Sequence, residues 1–411
     1  MIGRAAWALA FWLVTVDAQA VPRVHPLAAP LCEALARAVD AEGRGPVFVA
    51  SYRPGPHEAE VPKALRHSAF TYDNALAAIA LTACGQVDRA RRIGDALLKT
   101  VQSDRTFHDG RVRNAYRAGS IGDGALALPG WWDAEQKLWA EDAYQDGTAT
   151  GNVAWAALAL LTLDTAAPAA GYRAGAARML GWISANTVDS RSPAGFTGGF
   201  DGFDPSQTRL TWKSTEHNLD VHALATWLYR LDGRPDDAHL AAKARGFLDA
   251  VFVAEEGGFR LGTRPDGTLQ PLDQIALDTQ LWPQIGVSDA PAPWRRAVDL
   301  AARRMALPGG YDFNGDRDGV WVEGTAQAAL TLRAMGRLRQ ADQLLDGLKR
   351  EVSPSGYLYA SSIPRLTTGL AIGPASTGND FYYFRRPHLG ATAWAVLAGT
   401  GWNPFSGNRL E

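Results

Sequence analysis

Cysteine and net charge are both scarce in this chain, and each scarcity excludes something. Two cysteines among 411 residues are too few for a cysteine-based zinc site. Forty-one basic against 43 acidic side chains leave a formal charge of -2, so no overall field draws the protein to nucleic acid or an anionic membrane. After residue 20 no run is apolar enough to cross a bilayer, and no cysteine follows Ala20 to carry a lipid. Strand signals are few. What remains, with 46% hydrophobic and 20% charged residues, suits a globular chain with a large core.

Residues 1–20 have the layout of a secretory signal peptide: Arg4, an apolar run from Ala5 to Val16, then Ala18-Gln19-Ala20 before Val21-Pro22. The expectation is an exported protein, periplasmic if the host is Gram-negative, with one domain over residues 21–411 and no membrane segment after cleavage. Nothing in the sequence fixes its oligomeric state. In an oxidising compartment Cys32 and Cys84 could pair, fastening a first helix (Pro30 to Val39) to the end of the helix from Thr71; two buried free thiols are the equal alternative, because sequence does not give their Cα separation.

From Thr71 onward, helices apolar nearly all round alternate with amphipathic ones (Val87 to Val101, Tyr172 to Asn186, Asp236 to Val251, Pro293 to Met305, Leu338 to Arg350), which implies a buried and a half-exposed layer. The buried helices begin in small polar clusters: Thr71-Tyr72-Asp73-Asn74, Thr150-Gly151-Asn152, Ser214-Thr215-Glu216-His217-Asn218-Leu219-Asp220, Leu277-Asp278-Thr279-Gln280, Trp321-Val322-Glu323-Gly324 and Pro387-His388-Leu389-Gly390. Outer helices are followed by Gly198-Gly199-Phe200, Gly257-Gly258-Phe259, Gly309-Gly310-Tyr311 and Ser355-Gly356-Tyr357, with a degenerate copy at Asp109-Gly110-Arg111. Glycine allows a tight turn and the aromatic can pin a short hairpin to the core. Such recurrence is an internal repeat.

With these six helix starts and Gly-aromatic turns, the chain resembles the six-hairpin glycosidase superfamily over about residues 30 to 405. The resemblance implies an all-α fold, an (α/α)6 toroid of alternating inner and outer helices joined by short Gly-aromatic hairpins. It implies a sugar substrate and gives no catalytic residue, since no single family of that group is matched.

Roles therefore come from chemistry. Glycoside hydrolysis needs a carboxylic acid to protonate the leaving oxygen and a second carboxylate to activate water or attack the sugar. Glu216, Glu323, Asp278 and Asp73 lie at four inner-helix starts, where an acid also serves as a simple cap or dipole partner. Glu216 is the first choice for the acid, because Ser214 or Thr215 is the better cap and Asp220, one turn on, can raise its pKa. Glu323 leads as its partner, with Asp278 close behind; Asp73 suits a hydroxyl or a water. Candidate substrate contacts are Tyr72, Asn152, Trp212, His217, Asn218, Asp220, Gln280, Trp321, Arg386 and His388. Indoles can stack on pyranose faces; Trp155, Trp282 and Trp394 read better as core, Trp131-Trp132 as a rim. Arg385 and Arg386 would suit an anionic sugar. His217 or His388 with Tyr116, Tyr382 or Tyr383 would suit a polysaccharide lyase, and a silent glycan-binding scaffold is the non-enzymatic alternative. No cofactor is expected except calcium at Asp312, Asn314, Asp316 and Asp318, where the alternating oxygen ligands of a calcium loop appear without its closing glutamate. A tight polar turn is the competing reading there.

Overall fold

The computed structural model describes residues 24–53, 61–122, 124, 126–168 and 171–410; the signal peptide expected at 1–20 lies outside the described residues. Six outer helices alternate with six inner ones. In chain order these are α1 (Ala28–Ala41), α2 (Thr71–Ala83), α3 (Val87–Thr100), α4 (Thr150–Ala166), α5 (Tyr172–Thr187), α6 (Thr215–Asp232), α7 (Pro235–Val251), α8 (Leu277–Leu281), α9 (Arg296–Met305), α10 (Val322–Ala334), α11 (Leu338–Leu348) and α12 (Leu389–Thr400). Among the described residues no helix is long and apolar enough to cross a membrane.

The even-numbered helices are buried on every side, as their composition requires. All of α12 and every residue of α2 except Tyr72 are buried, whereas α3 buries one stripe, Ala90, Ile93, Gly94, Ala96, Leu97 and Thr100. Each large apolar side chain so removed from water contributes roughly 1.5–3 kcal/mol before chain entropy is counted. Gly94 lets two layers touch: a Cβ there would collide with Leu163 of α4.

Consecutive inner helices contact in a closed cycle, α2 to α4, α6, α8, α10, α12 and back to α2. Backbone hydrogen bonds follow the same cycle. The first residue of each inner helix donates its N–H to a carbonyl in the hairpin loop that precedes the next one: Thr71 to Asn114, Thr150 to Gly198, Thr215 to Leu261, Leu277 to Phe313, Val322 to Ala360, and Leu389 back to Ser51. These amides have no partner inside their own helix, so the ring satisfies its helix ends with itself.

The fourth residue of the inner helices clamps the preceding hairpin. Asn74 Oδ1 accepts from Val49 N at 2.8 Å, Asn218 Oδ1 from Phe196 N at 2.9 Å, Gln280 Oε1 from Phe259 N at 2.8 Å, Thr325 Oγ1 from Tyr311 N at 2.9 Å and Thr392 Oγ1 from Leu358 N at 3.0 Å. Only α4 has an apolar residue there, Val153. In each of these five hairpins the ring-closing carbonyl lies two residues beyond the clamped N–H, so the repeat has a fixed register.

That register corrects the turn read at Gly198-Gly199-Phe200. Val188-Asp189 pairs with Gly195-Phe196, the segment Asn218 holds, while Gly199-Phe200 pairs with Thr148-Ala149 and belongs to a strand that also faces Thr208–Leu210. The last turn is shifted by one residue, since Leu358 rather than Tyr357 is clamped and bridged to Val352. The fourth inner helix is shorter than its sequence suggests: Pro283 has no N–H to continue the ladder, and a separate turn, Pro283–Gly286, follows. Cys32 of α1 and Cys84, just after α2, are disulfide-bonded with Cα atoms 6.2 Å apart, so of the two alternatives for these thiols the bonded one is found.

Candidate active site

Side chains four apart on a helix share a face, and the inner helices turn their second and sixth residues toward the ring axis. The second residues are Tyr72, Gly151, Glu216, Asp278, Glu323 and Gly390; the sixth include Trp155, Asp220, Trp282 and Trp394. Most of them line a cavity of about 1070 Å³ at the N-terminal ends of the inner helices, together with Asp73, Asn152, Trp212, His217, Trp321, Tyr383 and His388. Its floor is aromatic. Trp155 lies 5.5 Å from Trp282, 5.9 Å from Trp394 and 5.0 Å from Phe405, ring centre to ring centre, which closes the axis below the polar layer.

On one side of the cavity, five residues form a connected set. Trp394 Nε1 donates to Tyr72 Oη at 2.8 Å, and Tyr72 donates in turn to Glu323 Oε1 at 2.8 Å. Because an indole N–H can only donate, the tyrosine proton is directed at the carboxylate. His388 caps α12 through Nδ1, which accepts from Ala391 N at 3.2 Å, leaving its Nε2–H facing Asp73 Oδ2 at 3.4 Å. Glu323 Oε2 lies 3.7 Å from His388 Nδ1 and has no protein hydrogen-bond partner. Gly390 makes room for this, since a Cβ there would stand 2.5 Å from Asp73 Oδ1 and 2.9 Å from Glu323 Oε2.

Electrostatics follow from that packing. Burial pushes Glu323 up to about 8, with His388 and the Tyr72 hydrogen bond opposing the rise and Asp73 adding to it. For His388 burial works against the charged ring, but the carboxylates of Asp73 and Glu323 outweigh it and raise the imidazole. Asp73, Glu323 and His388 also offer three ligand atoms within 4.8 Å of one another, although both imidazole nitrogens are already engaged.

Across the cavity, Glu216 is hydrogen-bonded to Asp278. Ser214 Oγ accepts from His217 N at 3.3 Å, so the helix is capped by serine and Glu216 is released, as its sequence suggests. Burial and then the Asp278 charge hold Glu216 well above the usual carboxylate range. Burial brings Asp278 up to about 6, restrained by hydrogen bonds from Glu216 and the Thr279 N–H. Two carboxyls in this relation share one proton between them. Asp220 is raised by burial and by Asp278, and burial pushes His217 down to about 4, leaving that ring neutral.

Several buried polar atoms on the cavity wall have no protein partner: His217 Nδ1, Asp220 Oδ1, Trp282 Nε1, Trp321 Nε1 and Glu323 Oε2. Buried polar groups are ordinarily paired, and these five, shielded from solvent behind the cavity surface, are exceptions to that rule. Trp212 packs 5.5 Å from His217, and Asn152 Nδ2 donates to Asn114 Oδ1 at 2.7 Å.

Other sequence candidates lie elsewhere. Asn218 and Gln280 are fully buried clamps, each bonding both the N–H and the C=O of a hairpin residue, Phe196 or Phe259. Arg386 is buried and does not line the cavity; Arg385 is tied to Glu351 at 2.6 Å and lies over Tyr359. Tyr116 is buried away from the cavity with its hydroxyl accepting from Arg113 N, and Trp131 and Trp132 do not reach the wall. The cations that do line it are Arg209, Arg264, Arg365 and Lys213. Tyr52, whose ring centre is 4.6 Å from that of His388, was also not indicated by sequence.

In the acidic loop, Asp312 accepts from Phe313 N and Asp318 N, Asn314 Oδ1 from Asp316 N, Asp316 from Thr367 Oγ1 and Asp318 from Thr367 N. Asp312, Asp316 and Asp318 approach one another closely enough to share an ion, and their bonds also close a polar turn against strand Arg365–Thr367.

No protein-family model matches the sequence, and no characterised protein matches it by sequence. Solved structures do match it. A glycosidase superposes with a TM-score of 0.60 at 14% identity, over 90% of this chain and 95% of that one. This chain shares its fold. The same holds for a sugar epimerase from a ruminal bacterium (TM-score 0.60, 13% identity, 89% and 95% covered) and for the GH76 α-mannanase of Bacteroides thetaiotaomicron (0.56, 10%, 90% and 94%). These neighbours are (α/α)6-toroid enzymes.

Proposed function

We propose that the protein is an exported (α/α)6-toroid glycoside hydrolase, with a signal peptide at residues 1–20, acting on a polysaccharide or oligosaccharide. The observation that supports this most is a proton-holding carboxyl pair, Glu216 and Asp278, facing a second carboxylate centre at Glu323 across one sugar-sized cavity. Glu216, kept neutral by burial and by Asp278, donates its proton to the glycosidic oxygen. Asp278 is hydrogen-bonded to Glu216 and therefore too near it to act on the opposite face of the sugar, where inversion needs carboxyls about 6.5–9.5 Å apart; it tunes the acid. Glu323 takes the proton of the attacking water, while Tyr72 steadies its Oε1. Before that transfer the neighbouring His388 favours the ionised form of Glu323, and Asp73 orients that ring. The glycosidic bond breaks to the protonated leaving group, and the sugar gains the hydroxyl with inversion at the anomeric carbon.

A glycan panel assayed for new reducing ends tests this reading. Turnover lost in Glu216→Gln with glycan binding kept supports it; binding without turnover by the native protein supports a scaffold. A second reading, sugar epimerisation, is favoured by one observation: His217 and His388 enter the cavity from the third and sixth inner helices, opposite members of the ring. Deuterium entering the sugar from heavy water with no new reducing end would select it. A lyase would instead release an ultraviolet-absorbing unsaturated sugar, and of the residues suited to it Tyr382, Tyr383 and the histidines line the cavity.

A further inference from the structure

The wall of the cavity on the side of α12 is an extended hairpin. Strands Arg365–Thr367 and Tyr382–Phe384 pair at its base, Phe381 N donates to Leu370 O above them, and Ile372 N donates to Asp380 Oδ1 at 2.8 Å. Its tip is a closed turn, with Ser376 N bonded to Gly373 O. Leu370, Ile372, Gly373, Pro374, Phe381 and Tyr382 all face the cavity.

The tip makes a contact that the ring order renders informative. Gly373 sits against Asp201: a Cβ built on it would lie 3.0 Å from Asp201 Oδ1 and 3.6 Å from Cγ. Asp201 ends the strand Gly199–Asp201, which pairs with Thr148–Ala149 at the start of α4, the second inner helix, whereas Thr367 at the hairpin base is bonded to Asp316 and Asp318 in the loop that leads into α10, the fifth. Second and fifth members of a closed cycle of six stand opposite each other. The hairpin therefore spans the mouth from rim to rim. Asp380, at its far end, also acts electrostatically on Asp142, in the segment before α4.

We infer that residues 368–381 form a strap across the cavity mouth which, above a floor sealed by Trp155, Trp282, Trp394 and Phe405, admits a glycan only by a free chain end. A substrate under a bridge over a closed floor has to be threaded in, whether it stops in the pocket or emerges at the flank. An uninterrupted or cyclic chain has no such route. This inference rests on the hydrolase reading and adds to it the mode of attack: chain-end cleavage, with substrates that are linear at the end that enters.

Two variants test it. In Asp201→Cys/Gly373→Cys the new cysteines should bond on oxidation, losing both reactive thiols; if both stay reactive in the folded protein, there is no strap. In the second, residues 371–379 are replaced by an Asn-Gly turn. On a linear polysaccharide that the native protein hydrolyses, the native protein should release short products while viscosity holds, and the shortened variant should lose viscosity several-fold more steeply per reducing end formed. A steep early viscosity loss with the native protein overturns the inference. If no glycan is cleaved, the hydrolase reading fails by itself, and entry is then read by native mass spectrometry of the oxidised double variant with linear and cyclic oligosaccharides. Preference for the linear set supports the strap; no preference overturns it.

Discussion

The two carboxylate centres of the cavity are built from the same residue types at the same helical position, and they hold their protons differently. Glu216 and Glu323 are both second residues of inner helices. Glu216 is buried and meets another carboxyl, Asp278, so its charged form is opposed from nearby. Glu323 meets a tyrosine hydroxyl and a histidine whose pKa is raised, both of which favour its charged form against burial. Position on the helix supplies a carboxyl at the mouth; the side chains that neighbouring helices bring against it decide how firmly it holds its proton.

Exchanging either carboxyl is the strongest way to break this comparison. A positioned acid or base is worth about 100- to 10,000-fold in rate, and Glu216→Gln and Glu323→Gln should each lose turnover in that range. They should differ by leaving group: on an aryl glycoside, which needs little protonation, Glu216→Gln should recover and Glu323→Gln should not. Equal losses on both substrates would remove the distinction between the two sides.

Next in size is the contrast between cavity residues and clamps. Asn218→Ala leaves the N–H and C=O of Phe196 without partners, at a cost of about 1–3 kcal/mol for each unsatisfied group. The expected result is a clear fall in Tm, with the pH dependence of the surviving folded enzyme unchanged. A shifted pH profile at native Tm would move Asn218 into the site.

Smaller effects sharpen the electrostatic difference. A base must be ionised to act, and with Glu323 held at about 8 the rate should rise with pH through that region. Tyr72→Phe removes a hydrogen bond to the charged form, so Glu323 should ionise at higher pH and the rising limb should move up by about one unit, the shift that corresponds to 1.36 kcal/mol. Asp278→Asn acts on the other limb: without the neighbouring charge Glu216 loses its proton at lower pH, and the falling limb should move to lower pH. Kinetic pH profiles of the two variants check both signs.

The sequence carried the alternation of helix types and the polar helix starts, because each depends on local pattern; it left open whether Cys32 and Cys84 pair, since that depends on a distance between segments 52 residues apart. It did not separate the second residue of each start from the fourth. Glu216 and Asn218 sit in one polar cluster, and nothing local tells that the first faces the cavity while the second reaches back to a hairpin; the repeat register does, and it requires the clamped backbone to be known. The same missing register misplaced the turn before α6 at Gly198-Gly199-Phe200 instead of Gly195-Phe196. Arg386 was misread for another reason: its place near a helix start says nothing about which side of a loop it takes. The strap hairpin has no sequence signal of its own beyond Gly369, Gly373 and Pro374, and its importance lies in where its tip lands.

The ring of helix-end hydrogen bonds, in which Leu389 returns to Ser51, bears on how the chain is made. A growing polypeptide holds every seam but that one as soon as the next repeat emerges, so its first and newest repeats keep exposed edges until the final helix docks. The bond between Cys32 and Cys84 joins residues only 52 apart and can form while most of the chain is still absent, securing the first edge early. Folding should then show a fast local phase and a slow one of high contact order, the slow phase belonging to closure of that one seam.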